Sequence, residues 1–305
     1  MNALYGTIGV SKQAVHQQAQ RQSVFNDRLA ILLLEADELR GEHPGCGVEK
    51  MYYTLAPDFM GRDRFIGIFM ALGYRVKRKR NYHRTTYSSL SYYPNLISGM
   101  LLNSPGQVWQ SDITYIRLGE DFYYAVFIID VYTKKIVGWQ LSDHMRATAN
   151  MAALEMALKQ HGAPEIHHSD RGSQYNYEGY LRRLKTGGSQ PSMGLIAQDN
   201  AYAERINRTI KEEYLAYWQI RDFPNLKRKV ARAVKHYNTK RKHNGIYRRT
   251  PRDFEKEVLT LELHNRPMAT IYADGQKKMK MASSPSSFFA QQALQAPNCP
   301  IILDE

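Results

Sequence analysis

The stretch Val108-Trp109-Gln110-Ser111-Asp112-Ile113-Thr114-Tyr115-Ile116-Arg117-Leu118 decides how the chain is read. β-Branched and aromatic residues in partial alternation predict a strand. Two further apolar runs, over 122–132 and 135–141, follow after the short turns Gly119-Glu120-Asp121 and Thr133-Lys134. Runs so closely joined pair as an antiparallel meander. Downstream the period changes. The pattern predicts a helix over 148–161, a strand over 165–169, a helix over 177–185 and a strand over 190–193. Long helices over 200–217 and 226–240 come next. Three antiparallel strands followed by alternating helix and strand describe an α/β fold, a mixed five-stranded sheet with helices on its faces.

Upstream, the first hundred residues read as helical and basic. Gly6-Thr7-Ile8-Gly9-Val10 is a turn, and Ser11 is an N-cap for a helix-forming run that begins at Lys12 and reaches Arg21. Turn and capped helix have the shape of a helix-turn-helix, which would bring Ser11 and Lys12 to DNA, and equally that of a plain helical hairpin. Over 24–40, Phe25, Leu29, Leu32, Leu33 and Ala36 recur at helical spacing, a core stripe. His43-Pro44-Gly45 ends that helix, and helices over 48–55 and 62–72 follow. Arg75-Val76-Lys77-Arg78-Lys79-Arg80 then packs five cations into six residues. With Tyr82, Tyr87, Tyr92 and Tyr93 nearby, Arg75, Lys77, Arg78, Lys79 and Arg80 make either a solvated loop or an arm on phosphates. The expected division is a helix-turn-helix-like region over 1–42, a second basic helical region and linker over 43–103, a catalytic core over 104–257 and a flexible tail over 258–305.

The bulk numbers agree with such a plan. Of 305 residues, 43% are hydrophobic, enough to build a core. The net charge of +13 favours a polyanionic partner, nucleic acid above all. Two distant cysteines, Cys46 and Cys299, make neither a disulfide framework nor a zinc site and suit a reducing cytosol. Residues 1–13 lack the basic and apolar runs of a secretory signal, and no stretch has membrane-span length. The expectation is a cytoplasmic, nucleoid-associated protein without a membrane partner.

Three carboxylates stand out. Asp112 lies mid-strand among apolar and aromatic neighbours, a costly place unless it is paired or metal-bound. Asp170 ends the fourth strand at a glycine-containing turn, where open sheets place functional groups. Glu204 starts a long helix. Each has an ordinary alternative: a strand-edge aspartate, a turn former, and a helix-surface partner of Arg208 at i+4. Together they form the oxygen-rich set that a pair of hard divalent ions needs for phosphodiester chemistry.

Val108 to Ile116, His168-Ser169-Asp170-Arg171-Gly172-Ser173-Gln174-Tyr175 and Asp199-Asn200-Ala201-Tyr202-Ala203-Glu204 resemble the three signatures of the retroviral-integrase-like core, and more narrowly those of bacterial insertion-sequence DDE transposases. His236-Tyr237-Asn238 with Arg241, and Thr250-Pro251, resemble that family's closing motif. His43-Pro44-Gly45, Gly61 to Phe65, Arg84-Thr85-Thr86 and Tyr93-Pro94-Asn95 resemble its N-terminal region. The resemblance spans about residues 40–255. It implies an RNase H-like fold and two Mg2+ or Mn2+ ions held by Asp112, Asp170 and Glu204. It implies metal-dependent strand cleavage and transfer of a 3′-hydroxyl into target DNA. The partners implied are double-stranded DNA, as terminal inverted repeats and as target, and a second copy of the chain in a homodimer or larger oligomer. Lys211 and Arg208, on the helix of Glu204, would contact that DNA; Lys211 as a plain exposed lysine is the alternative. Thirty-three residues separate Asp170 from Glu204, a slightly shorter connection than the family's usual one. A decayed relative that only binds DNA, and another RNase H-like nuclease, are the competing readings.

Overall fold

The computed structural model describes residues 11–76, 93–194 and 197–271. The chain divides into two compact units, residues 1–77 and 78–305, each considered by itself.

In the first unit, α1 (Lys12–Glu42) is one continuous helix of 31 residues, capped by Ser11, whose side-chain oxygen accepts from Ala14 N at 3.1 Å. The sequence reading divided this stretch near residue 22. No glycine or proline stands between Lys12 and Arg40, so the helix runs through that point. The first helix of the expected helix-turn-helix lies outside the described residues. Helices α2 (Val48–Leu55) and α3 (Arg62–Ala71) fold back onto the second half of α1. Leu32, Ala36, Met51, Phe65 and Phe69 share one core, with Phe65 and Phe69 stacked at 4.0 Å. A boundary at residue 42 would cut through that core.

The second unit is built on strands β2 (Val108–Leu118), β3 (Asp121–Asp130), β4 (Ile136–Ser142), β5 (Ile166–Ser169) and β6 (Gln190–Met193), after a short β1 (Leu101–Leu102). The five-stranded sheet has the order β4-β3-β2-β5-β6. β2, β3 and β4 are antiparallel neighbours, and β5 and β6 add in parallel. This is the RNase H-like arrangement implied by the resemblance.

Helices cover both faces, and β3, apolar on both sides, gives Ala125, Phe127 and Ile129 to one core and Val126 and Ile128 to the other. One face carries α4 (Ala147–His161) and α5 (Glu178–Thr186), packed on Trp109, Val126, Ile128 and Val137. Here α4 presses so close that a Cβ on Gly138 would sit 2.3 Å from the Ala153 carbonyl oxygen. The other face carries α6 (Ala201–Thr209), a π-helical turn (Ile210–Leu215) and α7 (Phe223–Thr239), packed on Ile116, Phe127 and Ile129. Helix α8 (Pro251–Leu259) follows. A second, two-stranded sheet pairs β1 with β7 (Ala269–Thr270). Ile97, Leu102 and Ile271 join Phe254 and Val258 in a common core. Residues 272–305 of the expected tail lie outside the described residues.

Candidate active site

The register of β2 and β5 sets up the site. Ser111 pairs with Ser169 across the parallel ladder. One residue further come Asp112, still within β2, and Asp170, just past the end of β5. Alternation puts Asp112 on the α6 face, because Ile116, an even-numbered residue of β2, packs there while Trp109 packs opposite.

α6 is then pinned over them. Asn200, its N-cap, makes no side-chain cap bond. Gln110 supplies one from another element: its Oε1 accepts from Tyr202 N at 3.1 Å and Ala203 N at 3.4 Å. Its Nε2 donates to the Asp199 carbonyl at 3.0 Å. Asn200 Nδ2 donates to the Ser111 carbonyl at 2.9 Å. Three residues past Glu204, Asn207 Nδ2 donates to Asp112 Oδ2 at 2.7 Å. Neither Gln110 nor Asn207 was singled out from sequence. For Asn207 the signal was present, an amide one turn beyond Glu204 on the buried side of an otherwise amphipathic helix.

The three carboxylates share one electrostatic environment. Burial, then the charges of Asp170 and Glu204, push the Asp112 carboxyl up to about 8, against the bonds from Ile113 N and Asn207. Burial also raises Asp170, whose Oδ1 accepts from Gly172 N at 3.0 Å. Glu204 is exposed and raised by partial burial, with Arg208 pulling the other way and Asp170 adding to the rise. No ion pair closes between Glu204 and Arg208 among the described residues. Lys211, half-buried in the π turn, is lowered by burial while the charge of Asp112 opposes that change. Its ammonium therefore lies within electrostatic reach of the carboxylates.

Among the described residues no three His, Cys, Asp or Glu side chains are gathered into a ready-made ligand cage. Burial makes ionisation of all three carboxyls costly, and like charge adds to that cost at Asp112 and Glu204. Hard oxygen donors in mutual repulsion fit a divalent cation such as magnesium, which would reverse the sign of that interaction.

The expected DNA contacts fall in both units. Arg208 is exposed beside Glu204, and Lys12 and Arg75 are exposed on the first unit. The Ser11 hydroxyl oxygen is engaged in capping α1. Lys77, Arg78, Lys79 and Arg80 lie outside the described residues, as do Leu195 and Ile196 in the shortened connection to Glu204.

Two family models, both described as integrase core domain, match residues 103–197 and 194–251. The chain is 31% identical over 255 residues to the transposase for insertion sequence element IS904 of Lactococcus lactis subsp. lactis (strain IL1403), covering 79% of this chain and 99% of that one. It is 31% identical to the transposase InsF for insertion sequence IS3A of Escherichia coli (strain K12), covering 61% and 68%. Among solved structures, the HTLV-2 integrase catalytic core domain in complex with magnesium aligns with a TM-score of 0.43 at 18% identity, over 50% of this chain and 97% of that one. With almost the whole of one transposase matched at this identity, and both integrase-core models falling on the carboxylate-bearing unit, the chain belongs to the insertion-sequence transposases with an integrase core domain.

Proposed function

We propose that the second unit cuts DNA at the ends of its own mobile element and joins the freed 3′-hydroxyl to target DNA. The observation that supports this is the β2–β5 register, whose last pair, Ser111 and Ser169, immediately precedes Asp112 and Asp170, together with the bond from Asn207, on the helix of Glu204, to Asp112. These three would hold two Mg2+ or Mn2+ ions. Bound there, the ions would supply an activated oxygen nucleophile and charge neutralisation on the leaving oxygen. Asn207 orients Asp112, and Gln110 fixes the start of α6. Lys211 and Arg208 bind the phosphates that flank the reacting one. In cleavage a water oxygen bonds to phosphorus, the P–O3′ bond breaks and a 3′-hydroxyl is left. In transfer that 3′-oxygen bonds to a target phosphorus, its proton passes to solvent and the target's own P–O3′ bond breaks.

Ser11, Lys12, Arg75 and Lys77 to Arg80 belong to the DNA-contacting surface of the first unit and its linker. The division into a helical DNA-binding region, a core and a tail follows from this reading, as does a homodimer or larger assembly bringing two element ends together. A second reading, a relative that binds DNA without cutting it, is motivated by the shorter connection between Asp170 and Glu204. One experiment separates the two. Purified full-length protein is incubated with its flanking repeats, supercoiled target and Mn2+, and nicks and joined strands are mapped. Cleavage at the repeat ends that disappears in Asp112→Asn, Asp170→Asn and Glu204→Gln while binding persists is the expected result. Binding with no cleavage in any divalent metal overturns the proposal.

A further inference from the structure

Helix α7 presents a second cationic surface that lies apart from the carboxylates. Between Phe223 and Thr239 stand Lys227, Arg228, Lys229, Arg232 and Lys235, and no Asp or Glu. Leu226, Val230, Ala233, Val234 and Tyr237 form the buried stripe that docks on the sheet. At 100° per residue, Arg228, Arg232 and Lys235 fall within a narrow strip directly opposite that stripe, and all three are exposed. Lys229 and Arg232 lie over the Trp218 ring at 5.2 and 5.4 Å.

A surface helix that needs only solubility mixes signs, and opposite charges at i+3 and i+4 support it. Here those spacings join cation to cation, Arg228 to Arg232 and Arg232 to Lys235. Such a row of cations suits a row of anions. Arg228 to Lys235 spans about 10 Å of helix. Successive phosphates on one strand of duplex DNA rise roughly 3.4 Å each, so the strip meets about three of them. α7 also shares one apolar core with α6 and the π turn, so the strip and Glu204 sit in the same helical layer.

We infer that the outer face of α7 is a sequence-independent binding surface for the phosphate backbone of duplex DNA, contacted through Arg228, Arg232 and Lys235. This rests on the proposed function only for the identity of the polyanion. The surface adds a phosphate track outside the residues that surround the reacting bond.

The test uses full-length protein carrying Asp112→Asn, without divalent metal, so that it is independent of whether the core cuts DNA. Fluorescence anisotropy follows binding to two short duplexes of unrelated sequence across a salt series. Arg228→Gln/Arg232→Gln/Lys235→Gln is expected to weaken both complexes at least about tenfold. It should also make the slope of log K against log salt shallower by roughly 2–3, at about 0.9 per lost phosphate contact. Arg228→Lys/Arg232→Lys should keep the slope. If the triple variant does not fold, Arg232→Gln alone should reduce the slope by about 0.9. An unchanged slope overturns the proposal, and so does a loss confined to one of the two sequences, which would mean that bases are read.

Discussion

Single residues at the site work mainly by fixing other groups. Gln110 is fully buried and spends its whole amide on the first turn of α6. Gln110→Ala would leave buried backbone donors of Tyr202 and Ala203 and the Asp199 carbonyl without partners. Each orphaned group costs about 1–3 kcal/mol, so urea denaturation should register a loss of roughly 3 kcal/mol. Gln110→Glu keeps the acceptor and should recover part of it; equal stability of all three proteins would contradict the cap. His167 gives a pH dependence. Burial, helped by the neighbouring His168, depresses it to about 3, and its Nε2 lies 3.0 Å from Tyr180 OH. The unfolded chain therefore takes up this proton first as pH falls. The stability that neutral His167 contributes is complete above its ordinary value near 6.5 and drains away toward 3. At about pH 5 the contribution should have fallen by roughly 2 kcal/mol relative to neutral pH. His167→Gln should flatten this part of the acid limb when urea midpoints are compared at the two pH values. A limb as steep as in the unaltered protein would exclude His167 as its source. Gln110 was not legible in the sequence, because a cap supplied across ninety positions leaves no local pattern; His167 was visible only as part of a strand.

Among elements, the strands were the most legible. The run Val108–Leu118 and the run Gln190–Met193 fall where alternation and turn residues put them. The helix expected over 200–217 instead changes pitch at Ile210–Leu215. A π turn differs from an α turn by one step of hydrogen-bond register, and no residue type announces it. The structure offers a physical reason for its stability. Glu213, inside the turn, accepts two bonds from Arg241, at 2.8 Å from Nε and 2.7 Å from Nη2, and Arg241 is buried. The partner across this ion pair arrives after α7, so only the finished fold can hold the turn. Arg241→Ala would strand a half-buried carboxylate and should cost about 3–5 kcal/mol in chemical denaturation. The double variant Glu213→Gln/Arg241→Met should be milder than Arg241→Ala alone. A double variant as damaged as the sum of the two single ones would show that the pair does not act as a unit.

At the scale of the whole molecule, the carboxylate site is a place where the fold accepts electrostatic cost. Asp112, Asp170 and Glu204 raise one another's protonation or are raised by burial, and Lys211 lies near without closing a pair. A divalent ion that binds only the folded state should repay part of this. At a concentration about a hundredfold above its Kd, Mn2+ should add roughly 2.7 kcal/mol, read as a rise in melting temperature. Asp112→Asn should remove most of that rise, and an equal rise in the variant would place the binding elsewhere. The elements that carry Asp112, Asp170 and Glu204 were legible from three signatures, because strand, strand end and helix each carry local marks. The helical unit was legible only in pieces: its helices were visible, while the single core joining Leu32 and Ala36 to Phe65 and Phe69 depends on contacts between distant segments.

The small pairing of β1 with β7 has a mechanical consequence. Leu101 lies opposite Thr270, and Ile271 exchanges bonds with Gly99 and Met100 at 2.9 Å. Residues 99–102 and 269–271 of the sheet-bearing unit therefore meet at one closed seam. Tension applied between residue 99 and residue 271 opens that seam one hydrogen bond after another, as a zipper opens, rather than shearing many at once. The seam gives way at low force, and the five-stranded sheet carries load only after Leu102 and Ile271 have been drawn out of their shared core.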